Sequence, residues 1–384
     1  MDCLIVLRFI IILTILFAHV QCFSFRILHN NDMHARYDPV TNSCQRCPAG
    51  DDERGLCFGG FGRVATVVKR ARANGPMLYL NAGDTFYGTN WYTAHKGELA
   101  ADLLNIIHPD AVSLGNHELD DDLAGFTPFL RKVNFPIVCC NLDLRKTPDL
   151  HNFRTLVRAT VIRKFKQNIG IIGYITPNTK YYVPYNSISY SPEISTINIE
   201  AKRLLNQGVN IIIALGHSGF EMDKMIAEHC PDVDVVIGGH SHTFLYTGSP
   251  PDIEKPDGNY PTIVTKSNGR KVPVLQAYAF TKYMGIIDLE FDDYGHLANF
   301  SGKPILLDKS IPHHPDITKI LNAKRQQVDF LDAKDIKDNK SRIKMFYSEE
   351  FISNTPDYIS TIVNIAVFMF LLIIFVCNDR HVLH

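Results

Sequence analysis

The sequence carries almost no net charge. Its 39 lysines and arginines face 40 aspartates and glutamates, a formal charge of −1 over 384 residues. That balance gives nucleic acid no polycationic face and provides no acidic tail of the disordered kind. Internal repeats and low-complexity tracts are missing too, which excludes a repeat array. No second Cys-x-x-Cys pair accompanies Cys44 and Cys47, so a disulfide to Cys57 is a simpler reading of them than a zinc site. What remains, at 46% apolar and 21% charged residues, is a globular chain with length for two ordinary domains.

Long apolar runs occur only at the two ends. Arg8 is followed by FIIILTILFAHVQC, which has signal-peptide length and is shorter than a membrane span. Residues 1–22 therefore read as a signal peptide, with Phe23 or Ser24 first in the mature chain. The second run, ISTIVNIAVFMFLLIIFVC from Ile359 to Cys377, bears no formal charge and is about long enough to cross a bilayer. It reads as a membrane tether, either a transmembrane anchor or the removed tail of a lipid-anchor signal. Secretion, free or tethered to the cell surface, is the location these segments imply. Between them lie Cys44, Cys47, Cys57, Cys139, Cys140 and Cys230, an even set in an oxidising compartment. Cys44 or Cys47 with Cys57 would staple the loop around DDERG, and at least one of Cys139 and Cys140, inside PIVCCN, reads as a buried thiol. Asn299-Phe-Ser and Asn339-Lys-Ser are glycosylation acceptors in a lumenal chain.

The stretch between the ends alternates strands and helices. FRILHNND, MLYLNAGD, DAVSLGNHE, PIVCCNLD, NIGIIGYITP, VNIIIALGH and VDVVIGGHSH are short and apolar, several without polar alternation, as suits strands covered on both faces. Helical patterns separate them: GRVATVVKRARANG, GELAADLLNIIHPD, INIEAKRLLNQG and GFEMDKMIAEHCPD each stop at Gly or Pro. Repeated βα units predict an α/β domain with outer helices. From about Pro250 to Leu306 the runs PVLQAYAF and MGIIDLEFDDYGHL suggest antiparallel hairpin material. PDITKILNAKRQQVDFLDAKD predicts one amphipathic helix, and residues 335–358 read as a polar linker.

The chemistry gathers at strand ends. Asp32 and His34 follow FRILHNN, Asp84 follows MLYLNAG, and Asn116 and His117 follow DAVSLG; His217 follows VNIIIALG, and His240 and His242 follow VDVVIGG. That carboxyl edge is where open α/β sheets bind ligands. Taken singly, an Asp or Asn there is an ordinary turn residue or helix cap. Five strand ends carrying metal-type ligands fit independent chance poorly. The mixed carboxylate, imidazole and amide set suits Zn²⁺, Mn²⁺ or Fe²⁺. Seven such side chains, leaving His117 aside, are too many for one tetrahedral ion and right for two if Asp84 bridges.

D-x-H, GD, GNHE, GH and GHSH, in this order, resemble the calcineurin-type metallophosphoesterase signature. The wording NDMHAR, LNAGDTFYGT, SLGNHELD, IIGYITP, LGHSG and GGHSHTFLYTG resembles the 5'-nucleotidase/apyrase family, over roughly Phe25 to Lys319. The resemblance implies a four-layer αββα sandwich over residues 23–310, followed by a linker helix and polar linker, 311–358. It implies one divalent ion on Asp32, His34, Asp84 and His242, and another on Asp84, Asn116, His217 and His240. Zinc is the first candidate, with Mn, Mg, Ca or Co compatible. His117 and Asp120 match the family's catalytic dyad, and Arg36 is a weaker candidate for a phosphate contact. Two ions about 3.5–4 Å apart would clamp a phosphate oxygen and acidify a bridging water to hydroxide. The implied partner is a nucleotide substrate, AMP or ADP/ATP.

The family continues with a second domain that stacks the nucleobase and supplies arginines, and here the match fades past the linker helix. Two readings follow: a hydrolase of extracellular nucleotides, or a catalytically feeble homologue that binds metal, nucleotide or a partner protein. A generic phosphatase or phosphodiesterase ranks below both.

Overall fold

Continuous apolar runs become strands buried on both faces, and the helices between them cover the outside. The computed structural model describes residues 23–164, 167–184, 187–292 and 296–346; the expected signal peptide and the apolar run 359–377 lie outside these. The first part of the chain runs β1 (Phe23–Asn30), α1 (Phe61–Ala73), β2 (Met77–Asn81), α2 (Asn90–Ile107), β3 (Ala111–Ser113), α3 (Asp122–Lys132), β4 (Ile137–Val138) and β5 (Leu156–Val157). The second continues with β6 (Ala159–Lys164), β7 (Gln167–Ile175), α4 (Glu193–Leu205), β8 (Ile211–His217), α5 (Phe220–His229) and β9 (Val235–Ile237). Then come β10 (Thr262–Thr265), β11 (Lys271–Leu275), β12 (Tyr283–Phe291), β13 (Leu297–Gly302), β14 (Ile305–Leu306) and the long α6 (Pro315–Phe346).

Two sheets result. The eight-stranded sheet has the order β13-β12-β1-β2-β3-β4-β5, with β14 also on β12; β1 to β5 are parallel and β12 runs against β1. The six-stranded sheet has the order β10-β11-β9-β8-β7-β6, parallel from β7 through β11 and antiparallel at both edges. Side-chain alternation explains the stacking. In β8, Ile211, Ile213 and Leu215 face the other sheet, meeting Ile27, Leu78 and Leu80 in one core. Ile212 and Ala214 face the opposite way, onto Ile197, Ala201 and Leu204 of α4 and Ile226 of α5. On the first sheet Leu28 and Tyr79 turn outward to Val64, Leu103, Phe126 and Ile317 from α1, α2, α3 and α6. These three cores define the αββα sandwich that the resemblance implies.

Three local differences from the sequence reading have physical causes. PVLQAYAF and MGIIDLEF do not pair with each other: β11 joins β9 in one sheet, while β12 joins β1 in the other. A period of two states which faces are buried, not which strand is the neighbour. Helix α3 forms although Gly125 and Pro128 interrupt its pattern, because Phe126, Phe129 and Leu130 find the first core. Helix α6 continues past Asp335 to Phe346, into the stretch 335–358 that was expected to be a polar linker. Its first half is anchored by buried Ile317, Leu321 and Val328, and by Arg325, which donates to Asp38 over the Trp91 ring.

Among the described residues the cysteines resolve as one disulfide, Cys47–Cys57, closing the DDERG loop, with Cys44, Cys139, Cys140 and Cys230 as buried free thiols. Asn299 is exposed on the edge strand β13, whereas the side chain of Asn339 is outside the described part. No helix among the described residues is long and apolar enough to cross a membrane.

Candidate metal centre and active site

The strands that end in polar residues all point the same edge at one seam between the sheets. Asp32 and His34 follow β1, Asp84 follows β2, Asn116 and His117 follow β3, His217 ends β8, and His240 and His242 follow β9. Among the described residues, potential ligand atoms cluster as Asp32–His34–His242 and as Asp84–His217–His240, each set within 4.8 Å, and His34 and Asp84 also cluster with His117. His34 Nε2 lies 2.9 Å from His242 Nε2, His242 Nε2 3.2 Å from Asp32 Oδ1, and His217 Nε2 2.9 Å from Asp84 Oδ2. Asp84 reaches both sets, since its Oδ2 is also 3.8 Å from His34 Nε2.

Main-chain strain aims these side chains. Asp32, His34, Asp84, His240 and His242 all adopt left-handed φ, between 48° and 79°. Such conformations cost about 1–3 kcal/mol each in non-glycine residues and persist where the surroundings over-determine them. Here hydrogen bonds across the seam do so: His240 N donates to the Asp32 carboxylate at 3.0 Å, and His217 Nδ1 bonds the Ala82 carbonyl at 2.7 Å. His34 Nδ1 bonds the Tyr87 carbonyl at 3.2 Å. Both imidazoles thus turn Nε2 toward the cluster, as metal-ligating histidines do.

The donor set fits divalent ions on three observations. Asp32 and Asp84 are buried to 0% and 2% exposure, facing histidines, Asn31 and backbone N–H groups. The Asn116 Oδ1 is buried without a hydrogen-bond partner, an arrangement that costs energy unless a cation takes the lone pair. Electrostatics favour positive charge there: burial opposes protonation of His217, but Asp84 and Asp32 outweigh it and lift the imidazole to about 10. Burial pushes His34 down to about 3, which leaves a neutral ring with a lone pair to give.

His117 is different. Its Nδ1 is 2.6 Å from Asp120 Oδ2, its backbone N donates to Asp84 Oδ1 at 2.9 Å, and its ring sits at the mouth of the seam. Burial works against its charge, yet Asp84 and the Asp120 hydrogen bond raise it to about 9. A cationic imidazole with Nε2 left over has the chemistry to give up a proton beside the cluster. Arg36 lies over an aromatic ring at the cluster: its guanidinium carbon is 5.2 Å from the Phe280 centroid, and Phe280 touches His34 and His242.

Sequence reasoning missed the residues that hold this arrangement. Glu118, inside GNHE, accepts from the backbone N of Asp84, Thr85, Phe86 and Gly115 and from Thr85 Oγ1, tying the β2 and β3 loops together. Gln276, inside PVLQAYAF, accepts from Thr243 N and donates to the Gly239 carbonyl, bracing the GGHSH loop. Next to it Ala277 N and the Tyr278 carbonyl clamp Asn31, which donates to Asp32. A buried Glu or Gln in a strand pattern was the available signal, and it does not say what it bonds.

This chain belongs to the calcineurin-like phosphoesterases, whose family model spans residues 25–244. Within them it is 44% identical over 307 residues to the 5'-nucleotidase of Mus musculus, an alignment covering 79% of this chain and 52% of that protein. Against the 5'-nucleotidase of Homo sapiens the identity is 42%, covering 79% and 53%. The crystal structure of a 5'-nucleotidase precursor from Thermus thermophilus matches with a TM-score of 0.74 at 30% identity, covering 80% of this chain and 60% of that one. The chain spans about half the length of the curated relatives it matches.

Proposed function

We propose that this chain hydrolyses the phosphate of nucleotides as a 5'-nucleotidase acting on AMP-type monophosphates, with the apyrase reaction on ATP or ADP as the alternative. The observation that carries this reading is the convergence of two buried carboxylates, imidazoles and an unpartnered amide oxygen beside a His–Asp pair. Asp32, His34, Asp84 and His242 would hold one divalent ion, and Asp84, Asn116, His217 and His240 the other. Zinc suits this O/N set, and Mn, Mg, Ca or Co are compatible. When bound, such a pair polarises the phosphate and makes water nucleophilic at neutral pH.

The chain's own residues supply the rest. Asp84 presents Oδ2 to both ligand groups while His117 N–H restrains its Oδ1. As water oxygen bonds to phosphorus and gives its proton to solvent, the P–O bond to the ribose breaks; that bond's electron pair passes to the ribose oxygen, which takes the proton from His117 Nε2. Asp120 favours that proton and orients the ring. Arg36 is a candidate contact to the phosphate. Residence in the secretory pathway, tethering by the C-terminal apolar run and glycosylation at Asn299 belong to the same reading.

Phosphate release from AMP, ADP and an aryl phosphate tests it, alongside metal analysis after metal-supplemented preparation. Asp84→Asn should lower turnover about a thousandfold and deplete bound metal. Fewer than one ion per chain in the parent protein, or unchanged release by the variant, overturns the reading. Release from the aryl phosphate alone would mark a phosphatase without nucleotide recognition.

A further inference from the structure

We propose that Tyr87 is a positioning residue for His117, setting the plane of the imidazole so that its proton meets the leaving oxygen. The inference rests on the donor role just given to His117.

Tyr87 has φ of 45°, a left-handed conformation that bulky aromatic residues seldom adopt. Two contacts use that geometry. The Tyr87 carbonyl receives His34 Nδ1 at 3.2 Å, and the Tyr87 ring lies flat on His117, with centroids 5.6 Å apart and planes within 5°. One residue therefore serves a candidate metal ligand with its backbone and the proton donor with its side chain. Gly88 permits the approach: a Cβ there would come within 2.7 Å of the His34 carbonyl oxygen. Tyr92 meets the Tyr87 ring edge-on at 6.1 Å, so the tyrosine is braced although 48% exposed.

The stack supplies what Asp120 cannot. A hydrogen bond at Nδ1 fixes one direction within the imidazole plane and leaves the ring free to rock about it. A flat neighbour fixes the plane itself. General-acid assistance, worth about a hundredfold to ten-thousandfold, depends on that alignment. Its contribution is largest for a poor leaving group such as a ribose oxygen and smallest for a nitrophenolate, which departs without a proton.

The test compares kcat and KM on AMP and on p-nitrophenyl phosphate for the parent, Tyr87→Leu, Tyr87→Phe and His117→Ala, with metal content and melting temperature checked for each. Tyr87→Leu should lower kcat on AMP by about tenfold or more while changing p-nitrophenyl phosphate turnover less than about threefold. KM and metal content should stay put, and Tyr87→Phe, which keeps the ring, should recover most of the loss. Equal losses on both substrates, no loss on either, or failure of Tyr87→Phe to recover turnover overturns the proposal. If Tyr87→Leu does not fold, Tyr87→Gly, which relaxes φ and keeps the carbonyl, takes its place under the same criteria. A His117→Ala protein that loses both substrates equally overturns the donor role, and the Tyr87 proposal with it. A graded His117→Ala beside a flat Tyr87→Leu overturns the Tyr87 proposal alone.

Discussion

The two sheets contribute unequal halves of the site. The eight-stranded sheet brings both carboxylates, Asp32 and Asp84, together with His34, Asn116 and the His117–Asp120 pair. The six-stranded sheet brings imidazoles alone: His217, His240 and His242. One side carries the carboxylates and the candidate proton donor, and the other closes the cluster with imidazole nitrogens. Each of the clusters Asp32–His34–His242 and Asp84–His217–His240 draws on both sheets, so the candidate centre is a property of their packing. Asp84 shows the dependence: its Oδ1 is held from its own sheet by His117 N–H, while its Oδ2 faces His217 across the seam.

Among changes that leave every candidate ligand in place, wedging the seam should have the largest effect. A Cβ at Gly239 would meet His217 Nδ1 at 2.8 Å and both the Ala82 carbonyl and Asp32 Oδ2 at 2.9 Å, atoms from both sheets. Gly239→Ala is expected to weaken ion binding and turnover by about a hundredfold, and to cost about 1–3 kcal/mol of stability through overpacking. Calorimetric metal titration and a denaturant melt read the two effects; parent-like values would mean that the seam has slack and that the halves are not tightly joined.

Loosening one half should do less. Glu118 serves only the first sheet, accepting from the loops that carry Asp84 and Asn116. Glu118→Gln turns one of its oxygens into a donor facing donors, at a cost of about 1–3 kcal/mol. Ion affinity should fall about tenfold to a hundredfold, less than for the wedge at Gly239. Affinity equal to that of the parent would show that the first-sheet loops stand without this brace.

The smallest effect on the centre is expected far from it. Asp52 receives Arg63 at 2.8 Å and His313 at 2.8 Å. Burial raises its pKa, but these partners outweigh burial and hold it below the usual carboxylate value. A folded pKa below the unfolded one means the stabilisation is present above about pH 4 and is lost as pH falls through the folded value. Asp52→Asn should therefore lower stability at neutral pH, flatten the acid limb below about pH 4, and leave metal stoichiometry unchanged. An acid limb as steep as the parent's would remove Asp52 from the acid response.

How much was legible follows from range. The strand ends bearing Asp32, Asp84, Asn116, His217 and His240 stand out because apolar runs and the polar residue after each are local features. The pairing of β12 with β1, the hold of Glu118 on the β2 loop and the stack of Tyr87 on His117 join residues far apart in sequence or turned by unusual φ. The disulfide shows the same limit: either Cys44 or Cys47 satisfied the spacing, and the fold paired Cys47 with Cys57.

Within HNNDMHAR itself the boundary is visible. The sequence alone determined that a strand ends here in metal-type side chains, because that follows from local hydrophobic pattern and residue chemistry. Local pattern does not say what His29, inside the strand, or His34, after it, would face. Tertiary structure buried His29 against the Tyr260 hydroxyl at 2.7 Å, where burial pushes it down to about 3, and turned His34 toward Asp32, Asp84 and His242. Tertiary packing decides this, since, Asp32 aside, each histidine's partners arrive from segments more than two hundred residues along the chain or from the loop after β2.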